Sequence, residues 1–598
     1  MSDNQKITVL RFAVIFLLIA MGFLGVIIQI IHLQTRDRER WLNIAEGQVQ
    51  TDRAIRATRG NILDADGRIL ASSMPQYIVY MDAAVEPLHA NKDSLFLLHV
   101  DSLSLALSRI IDDRTPDEYR RLLTQAHRER KRSVRLSKRR INYLQKQQIE
   151  QLPLVRRGKN VSGITFNPLP LRIKPFGSLA SRTIGAVNID TGNGTTGLEA
   201  RFNTELRGRD GMSTRQKIGN RWEDITVEEA EDGLDIVTTL DANLQDITET
   251  ALRHRLEYTG ADWGCCILME TQTGRIKAIS NLDRCEDGTY SEQFNHAVTR
   301  IEPGSTFKTI ALMAALDDGK VDIDDTITVY RNGWNYLGIN HRDAHPKDTV
   351  LSVRSALAIS SNIALAKIIT QGYEGSAKKF VNRIRNMGLM DSLYCEIPGA
   401  HRARIDIPRD TVTLSKMSYG YSVELTPMQI LMFYNGIANN GRMIRPYMVS
   451  EVRDSEGTLR TYETETVKSS LCKSRTLRDI RGALHDVVWD NQLGTASVNP
   501  WGMRKAQSDL VHIAGKTGTA QLIRNGRYQS RQHRMTFVGY FPEENPQYTC
   551  ICVIEHPTRY GYDAGMDCGS VVRQIAEKTI AYAGCYRIRN HQLIFEKR

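Results

Sequence analysis

The stretch from Phe12 to Thr35 places the strongest constraint on how this chain can fold, because its 24 residues carry no charge and are mostly aliphatic or aromatic. At about 1.5 Å per residue, a helix of this length crosses the roughly 30 Å hydrocarbon core of a bilayer. A signal peptide would have an apolar region of roughly 7–15 residues and then a small-x-small cleavage site, which residues 30–35 do not offer. The sequence therefore predicts an uncleaved membrane anchor, with residues 1–40 forming a short tail and the span.

Basic residues flank the predicted span on both sides. Lys6 and Arg11 precede it, and Arg36, Arg38 and Arg40 follow it. Because the positive-inside rule depends on an excess on one side, these residues leave the orientation of the chain open.

The rest of the chain has the composition of a folded protein with more than one domain. Its 598 residues exceed a typical domain, so two or three domains are expected. Forty-one per cent hydrophobic and 25% charged residues exclude a disordered chain. The net charge of +11 suggests a polyanionic partner, but no nucleic-acid motif accompanies it. The basic run over residues 128–140 is predicted to be a solvated helix face, with an anionic membrane or wall polymer as an alternative contact.

The nine cysteines indicate neither a zinc ribbon nor a disulfide framework. Their number is odd, and no C-x-x-C spacing occurs. Cys265, Cys266, Cys550 and Cys552 lie in apolar, strand-like runs and are predicted to pack in the core.

Residues 41–241 contain alternating helix and strand signals. Thr58–Ala71 reads as two short strands about an Asp-Gly turn. Thr115–Glu118 has the capping residue, the proline and the glutamate of a helix start, and the helix should run to about Arg128. A second helix is predicted from Asn142 to just before Pro153. A glycine-rich turn follows near residue 194, and it lacks the G-K-[ST] ending of a phosphate loop.

Residues 242–598 are predicted to form a second large domain. Strands at both ends of this region, with helices between them, predict one antiparallel sheet with helices packed on it, and hence an α+β fold. The predicted elements are a helix over Asn243–Tyr258, a hairpin of Trp263–Met269 with Arg275–Ser280, helices over Ser352–Ala358 and Asn362–Thr370, strands over His512–Ala520, Met535–Phe541 and Tyr548–Glu555, and a closing helix over Ser570–Ala583.

The segment Glu302–Lys308 contains the most informative motif. Its proline and glycine precede the apolar run Thr309–Leu316, which indicates a turn that leads into a helix. If the helix begins near Ser305, the side chains of Ser305 and Lys308 lie on one face and can touch. A hydroxyl beside an amine in a partly dry environment is a nucleophile next to its own base.

That spacing alone is weak evidence, because S-x-x-K recurs at Ser376 and Ser470, and S-x-N occurs at both Ser360 and Ser497. Lys516-Thr517-Gly518, a candidate substrate-binding element, is the chain's one K-T-G. The order carries more weight than any single motif: S-x-x-K at Ser305 opens a helix, S-x-N at Ser360 lies between helices, and K-T-G at Lys516 lies on a strand. This combination is the signature of penicilloyl-serine transferases.

The chemistry requires these residue types. Ser305 must lose a proton as it attacks a carbonyl, and Lys308 accepts that proton only when neutral. Bringing a lysine pKa from about 10.4 to near 7 costs roughly 4–5 kcal/mol, which burial and a second cation, Lys516, would supply. Ser360 can pass a proton to the leaving amine. The alternative is a charged, structural Lys308 that bridges carboxylates.

The remaining candidate residues suit substrate binding. The amide of Asn362 can hold the peptide backbone of the substrate. Lys516, with the hydroxyls of Thr517 and Thr519, suits a terminal carboxylate. The backbone N–H groups of Ser305 and Thr519 are the natural donors to an oxyanion.

Over nearly its whole length, the chain resembles a class B penicillin-binding protein. The resemblance implies that Arg59 and the region of Gly197 are structural residues of the pedestal. The matching elements are the N-terminal span, Arg59-Gly60-x-Ile62, Gly197-Leu198-Glu199, Glu302–Lys308, Leu425-Thr426-Pro427, Tyr434-Asn435-Gly436 and Ala514–Ala520.

The resemblance implies the domain organisation and the activity. Residues 1–40 would be the tail and transmembrane anchor, 41–241 an elongated mixed α/β pedestal of the dimerisation type, and 242–598 the transpeptidase domain. The expected activity is D,D-transpeptidation through a serine acyl-enzyme: D-Ala-D-Ala stem peptides are the donors, β-lactams are covalent inhibitors, and no cofactor or metal is required. The general shape is most similar to the division-specific type, penicillin-binding protein 3.

The resemblance also implies a location and partners. The protein would be a single-pass protein of the inner membrane with its bulk in the periplasm, which answers the question that the flanking arginines leave open. Its expected partners are a polytopic glycan polymerase of the shape, elongation, division and sporulation family and other division proteins. Nucleic acid is not among them.

Three alternatives compete with a division transpeptidase. Two are enzymes: an elongation-type transpeptidase, and a D,D-carboxypeptidase in which water takes the acyl group. The third is a non-catalytic β-lactam sensor or division scaffold, which the joint presence of Lys308, Ser360 and Lys516 argues against.

Overall fold

The computed structural model describes residues 3–36, 49–218, 221–389, 395–524, 526–560 and 562–590. The predicted boundary between residues 40 and 41 lies outside this part of the chain. The described helices are α1 (Asp3–Thr35), α2 (Glu86–His89), α3 (Ser94–Ile111), α4 (Pro116–Arg128), α5 (Tyr143–Glu150), α6 (Lys159–Ser162), α7 (Ser181–Ile184), α8 (Gly197–Arg201), α9 (Asn203–Arg207), α10 (Ala242–Thr259), α11 (Phe307–Asp317), α12 (Val353–Ala358), α13 (Asn362–Gly372), α14 (Ala377–Asn386), α15 (Thr411–Met417), α16 (Pro427–Ala438), α17 (Ser474–Trp489) and α18 (Ser570–Asn590).

Strands occur throughout the chain and alternate with the helices. They are β1 (Val49–Ile55), β2 (Ile62–Leu63), β3 (Ile69–Met81), β4 (Val134–Arg135), β5 (Ile164–Ile173), β6 (Gly211–Ile218), β7 (Arg221–Glu228), β8 (Asp235–Thr238), β9 (Trp263–Glu270), β10 (Ile276–Arg284), β11 (Tyr290–Ser291), β12 (Thr326–Val329), β13 (Trp334–Tyr336), β14 (Ile339–His341), β15 (Thr349–Ser352), β16 (Met443–Ile444), β17 (Val449–Arg453), β18 (Thr458–Thr461), β19 (Thr466–Lys468), β20 (Ala514–Arg524), β21 (Arg527–Phe541) and β22 (Tyr548–Glu555).

The chain divides into two compact units, of which the smaller consists of Met1–Thr58 and Arg207–Gly233. It contains α1 and a three-stranded antiparallel sheet in the order β1-β6-β7. Within Leu10–Thr35 of α1, the most apolar 18-residue window has a mean hydropathy of 2.9, and none of it is buried. An apolar helix whose side chains are exposed suits a bilayer, so the structure fits the membrane anchor that the sequence predicts for α1.

The larger unit, Arg59–Leu206 with Leu234–Arg598, contains a six-stranded antiparallel sheet in the order β11-β10-β9-β22-β21-β20. Its side chains alternate between two hydrophobic cores: on β9, Cys265 and Ile267 lie in one core, and Cys266 and Leu268 lie in the other. Helices cover both faces, with α11, α13 and α16 on the first and α10 and α18 on the second. This arrangement confirms the predicted α+β fold with helices packed on an antiparallel sheet.

The four cysteines of this sheet pack as predicted. Cys265, Cys266, Cys550 and Cys552 have no exposed surface and are free thiols. Cys266 lies directly opposite Cys552 across β9 and β22.

Local signals fix the helices of the predicted pedestal. The Thr115 hydroxyl accepts a hydrogen bond from the Glu118 amide at 3.3 Å, and the Glu118 carboxylate accepts one from the Thr115 amide at 2.8 Å. This is the predicted capping box, and α4 ends at Arg128 as expected. Asn142 caps α5 in the same way. The second long apolar helix, α3, buries only one face, which packs against its neighbours in the same region.

The glycine-rich turn is held by a buried ion-pair network. The Arg59 guanidinium donates to the Glu199 carboxylate at 2.7 Å and to the carbonyl of Gly192 at 3.3 Å. Arg172 donates to the other Glu199 oxygen at 2.6 Å. The Glu199 side chain is fully buried, so the turn is structural, in agreement with the role that the resemblance implies for Arg59.

One secondary-structure prediction is wrong. The basic run over residues 128–140 is not a helix face, because α4 ends at Arg128 and Val134–Arg135 form β4 beside β3. Val134 and Leu136 are buried, whereas residues 130–133 are exposed. Arg135, between these two buried residues, is exposed, and this short alternation has the period of a strand, which the density of arginines conceals in the sequence.

Candidate active site

Ser305 lies in a single 3-10 turn, Gly304–Thr306, that leads into α11. The α-helix therefore begins two residues later than the sequence suggests. The buried Tyr434 of α16 fixes the turn. Its hydroxyl donates to the carbonyl of Thr306 at 2.9 Å and lies 2.8 Å from the hydroxyl of Thr309. Thr306 is buried, whereas Ser305 is only half-buried, so the serine faces the accessible side of a rigid turn.

Gly304 and Gly420 allow the nucleophile turn to pack closely. Gly304 has a φ of +54°, and a Cβ atom there would lie 2.9 Å from the carbonyl oxygen of Thr519. Gly420 has a φ of +93°, and its Cβ atom would lie 2.0 Å from the carbonyl oxygen of Gly304. A larger residue would clash at either position. Glycine at 304 lets the Ser305 turn pack against β20, and glycine at 420 lets its own segment pack against Gly304.

Lys308 is fully buried, because α11 is apolar around nearly its whole circumference and lies inside the core. Its Nζ atom donates to the carbonyl oxygen of Ser360 at 2.5 Å and to the Ser360 hydroxyl at 3.1 Å. Burial lowers the pKa of Lys308 to about 7, against the opposing effect of the Asp343 carboxylate. A lysine with this pKa is half neutral near pH 7 and can accept a proton.

Ser360 occupies the break between α12 and α13 that the sequence predicts. Its φ of +61° is in the left-handed region, which is rare for a residue other than glycine. The next residue holds the break: the hydroxyl of Ser361 caps α13 by accepting from the amide of Ala364 at 3.0 Å. The strained conformation directs both the carbonyl and the hydroxyl of Ser360 to Lys308.

Asp343 orders the S-x-N motif. Its carboxylate accepts from the Ser361 hydroxyl at 2.8 Å and from the amides of Asn362 and Ile363 at 2.6 and 3.0 Å. The Asn362 Nδ2 atom donates to the carbonyl of Arg342 at 2.7 Å. The amide oxygen of Asn362 is thereby oriented as the acceptor that remains for a ligand N–H.

The K-T-G segment lies on β20, the last strand in the described order of the sheet. Lys516 is fully buried, and its Nζ atom donates to the Thr517 carbonyl at 3.0 Å. Burial and the charge of Lys308 lower the pKa of Lys516. The Thr517 hydroxyl lies 2.7 Å from that of Thr495. At Gly518, a Cβ atom would lie 2.9 Å from Thr306, so the strand and the nucleophile turn are in direct contact.

The structure thus brings the three predicted motifs into one cluster. Two contributors were not predicted, Asp343 and Thr495, because each reaches the site only through the fold. The expected contribution of Lys516 to the lowered pKa of Lys308 is not found: burial alone lowers that pKa, whereas the charge of Lys308 helps to lower the pKa of Lys516.

The other copies of the motifs have structural surroundings. Lys379 of the second S-x-x-K is exposed, and the Nζ atom of Lys473 in the third donates to the carbonyl of Asp317 at 2.8 Å. Asn499, of the S-x-N that begins at Ser497, holds its own turn by accepting from the amides of Trp501 and Met503. None of these residues joins the cluster.

Two family models match the chain. The penicillin binding protein transpeptidase domain matches residues 264–577, and the penicillin-binding protein dimerisation domain matches residues 54–238.

Curated relatives match over most of their length. The chain is 25% identical to the probable peptidoglycan D,D-transpeptidase PenA of Neisseria meningitidis, over 94% of this chain and 91% of that protein. It is 26% identical to the probable peptidoglycan D,D-transpeptidase PbpC of Pseudomonas aeruginosa, over 93% and 92%. It is 25% identical to the peptidoglycan D,D-transpeptidase FtsI homolog of Mesostigma viride, over 71% and 74%.

Solved structures share the fold. Penicillin binding protein 2X of Streptococcus thermophilus superposes with a TM-score of 0.75 at 22% identity, covering 89% of this chain and 81% of that one. Penicillin binding protein 3 of Mycobacterium tuberculosis, solved with aztreonam, gives a TM-score of 0.63 at 20% identity, covering 89% and 97%.

Proposed function

The chain belongs to the penicillin-binding protein transpeptidase family and is a class B, serine-type peptidoglycan D,D-transpeptidase; we propose that Ser305 is its nucleophile and that it works in septal wall synthesis. The observation that carries the catalytic assignment is Lys308: it is fully buried, has a pKa of about 7, lies one helical turn from Ser305, and contacts the Ser360 hydroxyl.

The hydrogen bonds of Lys308 favour its role as the base. A neutral amine has two hydrogens and one lone pair. The Ser360 carbonyl and hydroxyl accept the two hydrogens, so the lone pair is left for the proton of the Ser305 hydroxyl. A charged ammonium would carry a third hydrogen into a buried site and could not accept that proton.

Acylation then follows from this arrangement. The Ser305 oxygen attacks the carbonyl carbon between the two D-alanines as its proton moves to Lys308. The backbone N–H groups of Ser305 and Thr519 donate to the oxyanion. The C–N bond breaks, the leaving D-alanine amine receives a proton through the Ser360 hydroxyl, and an ester to Ser305 remains. An amine of a neighbouring stem peptide attacks this ester, which forms the cross-link and frees the serine.

Substrate recognition uses the other two motifs. The Asn362 amide oxygen accepts from a backbone N–H of the donor peptide. The terminal carboxylate of the substrate binds to Lys516 and to the hydroxyls of Thr517 and Thr519. Although burial lowers the pKa of Lys516, the negative charge of the bound carboxylate favours its ammonium form. Gly518 lets the strand approach the nucleophile turn.

The septal role, the location and the partners are part of the same proposal. The anchor α1 would hold the protein in the inner membrane with its bulk in the periplasm. The likeness to an FtsI homolog favours division, with a polytopic glycan polymerase of the shape, elongation, division and sporulation family as the partner. A fluorescent fusion should gather at the division site, whereas an even distribution along the side wall would indicate elongation.

The nucleophile is tested with a fluorescent penicillin. The parent protein should be labelled, Ser305→Ala should not, and Ser376→Ala, which alters a second S-x-x-K, should be labelled as the parent is. Labelling of Ser305→Ala would refute the assignment.

The acceptor is tested with the purified protein, its polymerase and lipid-linked substrate. Cross-linked dimers in the mass spectrum support transfer to an amine. Trimmed monomers without dimers would show that water is the acceptor, as in a carboxypeptidase.

A further inference from the structure

Three side chains in the predicted pedestal converge outside the active site. His89 ends α2, Asp93 precedes α3, and His127 lies in the last turn of α4. One ligand atom from each lies within 4.8 Å of the other two. We propose that His89, Asp93 and His127 bind one first-row transition-metal ion, of which Zn²⁺ is the best match, and that this ion ties the three helices together.

The tautomer of His89 supports a cation between these groups. The Nε2 atom of His89 lies 2.8 Å from the carbonyl oxygen of Ala83, which can only accept, so Nε2 carries the hydrogen. In the neutral ring the lone pair is then on Nδ1, which lies 3.5 Å from the Asp93 carboxylate. Two acceptors that face each other repel unless a proton or a metal cation lies between them. A backbone carbonyl that orients the second nitrogen is also the usual outer partner of a metal-bound histidine.

His127 provides the second, independent observation. The residue is only 7% exposed, and among the described residues neither ring nitrogen makes a hydrogen bond. Its Nε2 atom nevertheless lies 3.2 Å from the Asp93 carboxylate. A buried imidazole that faces a carboxylate without a well-formed hydrogen bond to it is a costly arrangement that a bound ion would satisfy.

The backbone directs Asp93 toward the histidines. Asn91, Lys92 and Asp93 all have positive φ values, of 49°, 59° and 61°. Positive φ values at three consecutive residues other than glycine are unusual. Asp93 is the N-terminal capping residue of α3, yet its side chain makes no capping hydrogen bond. Its carboxylate is 44% exposed, so an ion can enter from solvent.

The ring geometry adds one requirement. The planes of His89 and His127 are within 6° of parallel with centroids 4.1 Å apart, and His127 also stacks on Phe96 at 3.9 Å. A metal ion lies in the plane of each imidazole that binds it, so at least one ring must rotate about its Cβ–Cγ bond on binding. Two nitrogens and one oxygen favour Zn²⁺, Co²⁺ or Ni²⁺ over Mg²⁺ and Ca²⁺, which prefer oxygen ligands.

The test uses the tag-free, full-length protein in detergent, stripped with a chelator and then dialysed against micromolar Zn²⁺. Elemental analysis should find one Zn²⁺ fewer per chain in His127→Gln and in Asp93→Asn than in the parent. His254→Gln, which alters an exposed histidine of α10, should match the parent. Equal zinc content in all four proteins, or none in the parent, would overturn the proposal.

A second measurement covers the case in which a variant folds poorly. Co²⁺ added to the stripped parent should produce visible d–d absorption that Zn²⁺ displaces. Zn²⁺ at about 100 times its dissociation constant should lower the unfolded fraction about 100-fold and raise the melting temperature. Absence of both effects would also refute the site. Labelling of Ser305 by penicillin should be the same with and without bound Zn²⁺, so this test is independent of the proposed catalytic assignment.

Discussion

The pKa of Lys308 leads to a quantitative prediction for the rate of acylation as a function of pH. A decrease from 10.5 to about 7 in the buried site corresponds to about 5 kcal/mol of destabilisation of the ammonium form. At pH 7 about half of the molecules then carry a neutral Lys308, whereas an unperturbed lysine would be neutral in roughly one molecule in 3,000. Burial therefore raises the population of the competent base about a thousandfold.

The sign follows from which form reacts. Only the neutral amine accepts the Ser305 proton, so the second-order rate constant of acylation should rise about tenfold per pH unit below the pKa of Lys308 and level off above it. Stopped-flow measurement with a chromogenic β-lactam from pH 5.5 to 9 should give a single midpoint near 7. A flat profile, or a rate that still rises tenfold per unit at pH 9, would refute this account of the base.

Two variants complete the experiment. Lys308→Met removes the amine but keeps the volume, so acylation should fall at least about a thousandfold at every pH. The variant should remain folded. In the parent, the pKa of Lys308 is lower in the folded state than in the unfolded state, so below about pH 10 this lysine destabilises the folded protein. Methionine removes that cost. Lys379→Ala, at the exposed copy of the motif, should have the profile of the parent. A Lys308→Met protein that acylates normally would remove Lys308 from the mechanism.

Three further predictions concern the surroundings of the site and the fold. Asp343→Asn removes the charge that favours the ammonium form of Lys308, so the midpoint of the acylation profile should move to lower pH. Gly420→Ala places a Cβ atom 2.0 Å from the carbonyl oxygen of Gly304, and it should slow acylation at least about tenfold and lower the melting temperature. Glu199→Gln leaves two buried arginines without their carboxylate and should cost about 3–5 kcal/mol in denaturant unfolding.

Each of these predictions has a contrary result. A midpoint that stays or rises in Asp343→Asn would show that its charge does not act on Lys308. Parental acylation in Gly420→Ala would show that the nucleophile turn tolerates displacement. A loss below about 1 kcal/mol in Glu199→Gln, no more than an exposed pair contributes, would mean that the network around the glycine-rich turn is not stabilising.

The local features of this protein were predictable from the sequence, because their causes are local. Twenty-four uncharged residues determine α1, and the residues of Thr115–Glu118 are themselves the donors and acceptors of a helix cap. The strands of the central sheet were recognisable as short apolar runs between turns. The linear order of S-x-x-K, S-x-N and K-T-G pointed to one site, although two of these motifs have copies elsewhere.

Other features depend on residues distant in sequence, and only the tertiary structure decides them. Asp343 and Thr495 reach the site from loops whose position no motif encodes, and the left-handed conformation of Ser360 is held by the packing around it. The convergence of His89, Asp93 and His127 likewise depends on three helix ends meeting. The charge density of residues 128–140 suggests a solvated helix face, whereas β4 forms there by pairing with β3, which is distant in sequence.

Ser305 and Lys308 show most clearly which properties the sequence determines and which the tertiary structure decides. The sequence places them three residues apart, and that spacing is identical at Ser376 and Ser470. What distinguishes the first pair is desolvation: α11 is enclosed by the core, so Lys308 loses its water and its pKa falls to about 7, while Lys379 stays exposed. The electrostatic free energy of a charge depends on everything around it in three dimensions, and for that reason the fold, and not the motif, makes the lysine a base.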